Sequence, residues 1–200
     1  MIRVNKLSDK HRPVIDHLVK RFSTFRVKAE REQEVLYVAG KRLQFLGAGS
    51  FSSVYALDKD WAVRIEWNAG NNYAAWAEFC IRNRGKHLPK IIFHATVEDD
   101  DGYGPEPYCI TVVERLGRLN DDEEEAYGQW DTTCGRLESF LGGWGKRLRL
   151  PKMCKPHVSN PSMRRLVNQL KKADIYVNDL HRGNMMLRKC GTLVLTDPVY

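Results

Sequence analysis

Residues 61–66 alternate with the period of two of a β-strand, so that Ala62 and Arg64 share one face and Val63 and Ile65 the other. Short runs rich in apolar residues and bounded by turn residues predict strands over residues 43–46, 53–57, 61–66, 91–97 and 108–113. The last two are expected to pair antiparallel, because they are joined by an acidic loop with glycine and proline at residues 98–107.

Three stretches have the spacing of amphipathic helices instead. Their apolar positions are Val14, Leu18, Phe22 and Phe25 in the first, Tyr73, Trp76, Ala77 and Cys80 in the second, and Leu166, Val167 and Leu170 in the third. Ser8 or Asp9 is expected to cap the first helix, and Ser162 the third. The first helix is interpreted as packing on the strands that follow it; the alternative is a helix that binds a partner.

Charge and cysteine content narrow the class of protein. The 200 residues carry a formal net charge of +7, but the basic residues are dispersed, which argues against dedicated nucleic-acid binding. Five widely spaced cysteines never form a C-x-x-C pair, which argues against a zinc site or a disulfide framework and for a reducing cytosol. Because no leader and no long apolar run is present, we expect a soluble protein that is neither secreted nor in a membrane.

The stretch that carries chemistry begins at Asp179, continues through Asn184 and ends at Asp197. Two short strands, residues 185–187 and 193–196, are predicted between the last two, so a hairpin would bring Asn184 and Asp197 to the same end. Kinase-like folds use an acid, an amide and a second acid at this spacing to accept a hydroxyl proton and to hold Mg²⁺. Alone, the D-x-x-x-x-N pattern also fits an ordinary polar loop.

Five motifs occur in the order GAGSFSSVY, AAWAEFC, CITVVERL, DLHRGNMM and TDPV. With them the chain resembles the protein-kinase-like superfamily, and within it the early serine/threonine protein kinases of short-tailed lytic coliphages of the autographivirus type. The resemblance implies an α+β, bilobal fold. Residues 1–38 would be a helical extension, 39–116 a β-rich N-lobe and 117–200 a reduced, truncated C-lobe.

The resemblance also implies ATP and Mg²⁺ as cofactors and assigns roles to residues. Asp179, Asn184 and Arg64 would be the catalytic set, and Asn184 and Asp197 would hold the metal ion. The nucleotide would lie against Gly47, Gly49, Ser50, Phe51, Val54, Ala62, Arg64, Glu114 and Leu116, the last two through their backbone.

The chain departs from the kinase pattern at several positions. Arg64 stands where a lysine is usual, and the two side chains are not interchangeable because the guanidinium is planar and larger. Glu78, the acid of the second predicted helix, lies about 140° from Tyr73 by helical phase, so it is expected to be solvated and not paired with Arg64. No activation segment follows Asp197, so a peptide platform would come from residues 118–161, the N-terminal helix or another molecule.

Three functions stay open at this point. The first is a serine/threonine kinase that phosphorylates host proteins of the transcription and translation machinery in the cytoplasm of an infected bacterium. The second is a non-catalytic nucleotide-binding module that inhibits a host enzyme by binding it. A small-molecule phosphotransferase is the third, although nothing in the sequence corresponds to its larger substrate-binding lobe. The sequence does not indicate the oligomeric state.

Overall fold

The computed structural model describes residues 7–24, 35–49, 51–67, 73–97, 108–119, 137–138, 141 and 160–199. These residues form a mixed α+β structure in which every strand pairing is antiparallel. The chain divides into two compact units. The first comprises Met1–Ile81 and Lys90–Arg115, and the second comprises Arg82–Pro89 and Leu116–Tyr200.

The first unit is built on a six-stranded sheet with the strand order β1-β2-β3-β4-β6-β5. The strands are β1 (Val35–Val38), β2 (Lys41–Gly49), β3 (Ser52–Ala56), β4 (Trp61–Trp67), β5 (Ile91–Val97) and β6 (Tyr108–Glu114). The predicted pairing of the last two strands is confirmed. The predicted glycine-rich turn is shorter than expected, because β2 stays paired with β3 through Gly49.

Helix α1 (Arg12–Thr24) packs on this sheet, with Val14, Ile15 and Leu18 in the common core. It begins where the Ser8 carbonyl accepts hydrogen bonds from the amides of His11 and Arg12. The side chains of Phe22 and Phe25 lie outside the described residues.

Asp58, in the turn between β3 and β4, ties the start of α1 to the sheet. Its Oδ2 lies 2.6 Å from Lys10 Nζ and 2.8 Å from His11 Nε2. Burial alone would raise the pKa of Asp58, but these contacts and the amides of Asp60 and Trp61 together hold it below its usual range. The folded state therefore prefers the ionised carboxylate.

Helix α2 (Tyr73–Arg82) has the apolar stripe that its sequence predicted. Tyr73, Trp76, Ala77 and Cys80 are all buried, as is Phe79, whose ring stacks on Trp76 at 5.4 Å between centroids. No helix in the described part of the chain is long and apolar enough to cross a membrane.

The second unit contains helix α3 (Asn160–Ala173), a 3₁₀ helix (Arg182–Asn184) and a small sheet. The sheet has the order β7-β8-β9, with β7 at Gly117–Arg118, β8 at Met185–Leu187 and β9 at Leu193–Leu195. The prediction that Ser162 caps α3 is wrong: the helix begins at Asn160, and the Ser162 hydroxyl lies 2.6 Å from His87 Nε2.

Candidate active site

The loop from Asp179 to Asn184 is closed by one side chain. Asn184 Nδ2 donates to the backbone carbonyl of Asp179 at 2.9 Å and to its carboxylate Oδ2 at 3.1 Å. The amide is therefore turned so that its nitrogen faces Asp179. Within the described residues, the other oxygen of each side chain, Oδ1 of Asp179 and Oδ1 of Asn184, accepts no hydrogen bond.

His181 orders the turn inside this loop. Its Nδ1 accepts a hydrogen bond from the Gly183 amide at 3.1 Å and so caps the 3₁₀ helix. A Cβ at Gly183 would lie 2.8 Å from the His181 ring, so any larger residue would force the ring aside. Glycine is needed here because the ring approaches the backbone closely.

The β8–β9 hairpin sets the position of Asp197 relative to Asn184. Met185 pairs with Leu195, and the Thr196 amide donates to the Asn184 carbonyl at 2.8 Å. Asp197 follows directly, at the same end of the hairpin as Asn184, as predicted. The opposite end turns at Gly191, whose φ of 77° favours glycine.

The carbonyl of Pro198 links the end of this segment back to the loop. It accepts hydrogen bonds from the amides of Asn178 at 3.1 Å and Asp179 at 3.2 Å. Asp179 is thus bonded to Asn184, Asn184 to Thr196, and Pro198 to Asp179. We call this set of bonds, which the chain from Thr196 to Pro198 closes, the Asp179–Pro198 ring. It fixes Asp179 and Asn184 relative to the backbone on both sides of Asp197.

A carboxylate outside the predicted set supports the ring. Glu138 Oε2 accepts a hydrogen bond from the Leu180 amide at 2.9 Å. Sequence reasoning missed Glu138, because it lies in a segment whose layout the pattern did not resolve. Its role is to satisfy a backbone amide of the loop next to Asp179.

The residues of the ring fit a magnesium ion. Mg²⁺ is usually bound by one or two protein oxygen ligands together with phosphate oxygens and water. Asn184 Oδ1 and the carboxylate of Asp197 are ligands of this kind. No cluster of three or more His, Cys, Asp or Glu side chains suited to a metal ion occurs in the described part of the chain, and an Asn–Asp site needs none.

In the first unit, several predicted nucleotide-binding side chains share one face of the sheet. Val54 pairs directly with Arg64 across β3 and β4, and Ala62 lies two residues from Arg64 on the same strand. Directly paired residues point to the same face. The opposite face carries Tyr55 and Val63, which belong to the core under α1.

Arg64 contacts two residues, Glu66 and Tyr73, that the sequence did not indicate as its neighbours. Its Nε donates to Glu66 Oε2 at 3.1 Å, and its guanidinium carbon lies 3.7 Å from the centroid of the Tyr73 ring. Glu66 is fully buried and Arg64 is nearly so. Glu78, expected to be solvated, is half-buried and lies close enough to His94 to act on its pKa, which burial lowers and Glu78 partly raises.

The glycines of the predicted loop are part of a strand. Gly47 pairs with Val54 and Gly49 with Ser52, so this section carries paired backbone. Phe51 is half-buried, and its carbonyl accepts from the Trp67 amide at 3.0 Å. Ser50 lies outside the described residues.

Glu114 is the last residue of β6, and Leu116 lies two residues beyond it. The Glu114 amide donates to the Lys90 carbonyl at 2.9 Å, and its side chain accepts from the Lys90 amide at 2.8 Å. The amide of Glu114 is therefore committed to the strand, and a base would have to meet its carbonyl or the backbone of Leu116. The boundary between the two units falls between Arg115 and Leu116.

No protein-family model matches this chain, and no curated protein matches it either.

Proposed function

We propose that the chain is a phosphotransferase of the protein-kinase-like fold that transfers the γ-phosphoryl group of ATP to serine or threonine. One observation carries the proposal: the Asp179–Pro198 ring joins Asp179, Asn184 and the segment of Asp197 through hydrogen bonds of 2.8 to 3.2 Å. A polar loop without a catalytic role would not need an acid, an amide and a second acid tied together in this way.

In this proposal each residue has a distinct task. Asp179 Oδ1 accepts the proton of the attacking hydroxyl, while Oδ2 stays bonded to Asn184 and keeps the carboxylate oriented. Asn184 Oδ1 and Asp197 offer oxygen ligands to Mg²⁺, which when bound would neutralise charge on the phosphates. In the first unit, Arg64 supplies a positive charge on the face of the sheet that carries Val54.

The resemblance, rather than the geometry, suggests the substrates. We propose host bacterial proteins of the transcription and translation machinery as phosphoryl acceptors, in the cytoplasm of an infected cell.

The test is transfer of labelled γ-phosphate from Mg-ATP to proteins of a bacterial lysate. Asp179→Asn keeps an oxygen that can accept from Asn184 but removes the base, so transfer should fall about 10²- to 10⁴-fold. Asp16→Asn, at an exposed position of α1, removes the same charge and should leave the rate unchanged. Equal labelling by both variants would exclude Asp179 as the base.

A second function is favoured by the surroundings of Arg64. Because Glu66 and the Tyr73 ring already engage its guanidinium, less of its charge is directed to a nucleotide. A non-catalytic nucleotide-binding module that inhibits a host enzyme would tolerate this. Retained Mg-ATP binding without any labelled product from the unaltered protein would favour this second function.

A further inference from the structure

A pocket of about 280 Å³ lies within the second unit, and none of the residues of the Asp179–Pro198 ring lines it. One wall is the loop after α2, with Arg84 and Lys86, and the other is the first two turns of α3, with Ser162 and Arg165. Sites for drug-sized ligands span about 300–1,000 Å³. This pocket therefore fits a single side chain or a small ion better than a nucleotide.

Three positive charges surround the pocket, and none of the described residues that line it is acidic. The side chains of Arg84, Lys86 and Arg165 are exposed, and within the described residues none of them forms an ion pair or a hydrogen bond. Positive groups close together repel one another, so their grouping without an internal counter-ion indicates an external one.

The backbone of the loop is fixed before any ligand arrives. Arg188 donates to the carbonyls of Lys86 and Leu88, and the His87 carbonyl accepts from the Leu195 amide at 3.0 Å. Because the backbone of residues 86–88 is already ordered, little conformational entropy is lost there when a ligand binds.

The buried ring of His87 joins the two walls. Its Nδ1 lies 2.8 Å from the Leu193 carbonyl, which can only accept, so Nδ1 carries the hydrogen. Nε2 then accepts from the Ser162 hydroxyl at 2.6 Å. Burial, with Arg188 and Lys86 nearby, lowers the pKa of His87 and keeps this bonding pattern at neutral pH.

The surface next to the pocket has the same sign of charge. The exposed charged residues of α3 are all basic: Arg164, Arg165, Lys171 and Lys172. These charges would draw an acidic segment toward the pocket at long range, but only Arg165 among them lines it.

We propose that this pocket binds the phosphoryl group of a phosphorylated serine or threonine in a partner protein. A phosphate ester carries close to two negative charges and three acceptor oxygens, and arginine can bind it with two parallel hydrogen bonds. A nucleic acid would call for an extended groove with aromatic rings for stacking, and the described residues that line this pocket include no aromatic side chain. The proposal does not depend on phosphoryl transfer at Asp179.

The probe is a short fluorescein-labelled peptide with one phosphoserine flanked by glutamates, titrated with the full chain and followed by fluorescence anisotropy. The same peptide with serine should bind about tenfold more weakly or worse. Arg165→Ala should weaken binding of the phosphopeptide about tenfold, whereas Arg164→Ala, its neighbour outside the pocket, should change it less than about twofold.

A second pair of variants guards against a folding defect in the first. Lys86→Ala keeps the backbone carbonyl that Arg188 binds, and Lys171→Ala removes an equal charge at the far end of α3. Only Lys86→Ala should weaken binding. Thermal melts of all four variants should coincide, because every altered side chain is exposed.

Several results would overturn the proposal. Equal losses in the members of either pair would reduce the effect to general surface charge. Displacement of the peptide by inorganic phosphate at similar concentration would indicate a free-anion site instead. Tighter, Arg165-dependent binding of a single-stranded oligonucleotide would indicate nucleic acid, and equal binding of the serine peptide would remove the phosphoryl group from the recognition.

Discussion

Substitution of Asn184 tests the hydrogen bonds that hold the Asp179–Pro198 ring together. Asn184→Ala removes both hydrogen bonds to Asp179, one to a carbonyl and one to a carboxylate. A neutral bond contributes about 1 kcal/mol and a bond to a charged group about 1.5–3 kcal/mol. Because both residues are half-buried, water replaces part of the loss, and we expect the free energy of unfolding to fall by about 2 kcal/mol.

Asn184→Asp should be worse at neutral pH, and in a way that depends on pH. Its new carboxylate would face Asp179 Oδ2 at the place where Nδ2 now lies, 3.1 Å away. Two carboxylates at this distance cannot both ionise easily, so the pKa of one is raised in the folded state. The folded state then gains a proton more readily than the unfolded one, and stability recovers as the pH falls below about 5.

Urea unfolding followed by circular dichroism at several pH values measures both effects. Asn168→Ala, at an exposed position of α3, is the matched control and should change stability by less than about 0.5 kcal/mol. If Asn184→Ala also lowered the free energy of unfolding by less than about 0.5 kcal/mol, the hydrogen bonds between Asn184 and Asp179 would be refuted. A deficit of Asn184→Asp that does not shrink in acid would refute the proximity of the two side chains.

Three further predictions concern other parts of the chain. Cys190 is exposed, and hydrogen bonds from Thr192 lower the pKa of its thiol. Cys109 is buried, and burial raises its pKa to about 11. Iodoacetamide should therefore label Cys190 well before Cys109, and peptide mass spectrometry distinguishes the two. Because the pKa of Asp58 is lowered by folding, its contribution to stability is present above pH of about 4 and is lost as the pH falls. Asp58→Asn should therefore flatten the acid limb of a stability profile. Glu66→Gln removes the buried carboxylate to which Arg64 Nε donates, and we expect the free energy of unfolding in urea to fall by about 2 kcal/mol or more. No fall would mean that this ion pair is dispensable for stability.

The sequence predicted best where structure depends on neighbouring residues. The stripe of α2 and the β8–β9 hairpin follow from local periodicity and from the turn at Gly191. Glu66 could have been identified from the same reasoning, since it lies two residues from Arg64 and so on the same face of β4. The kinase pattern instead directs attention to Glu78, the acid of helix α2.

Contacts distant in sequence, or made by the backbone, left no comparable signal. Serine is a common residue at helix N-caps, but α3 begins at Asn160, before Ser162. The Ser162 hydroxyl donates instead to His87, which lies 75 residues earlier in the chain. The carbonyl of Pro198 would serve equally on any residue, so its two bonds to the loop were not foreseeable. The extent of β2 is set by its pairing with β3, and pairing overrides the turn preference of Gly47 and Gly49.

The short sequence separation within the Asp179–Pro198 ring affects the order in which the chain folds. All its bonds join residues within a span of about twenty along the chain, whereas strands β4 and β6 must find each other across a far longer separation. Closing a short loop is fast and costs little chain entropy. In refolding followed by pulsed hydrogen exchange, the amides of Asp179 and Thr196 should therefore gain protection together and before those of the β4–β6 ladder. The ring would then assemble ahead of the six-stranded sheet.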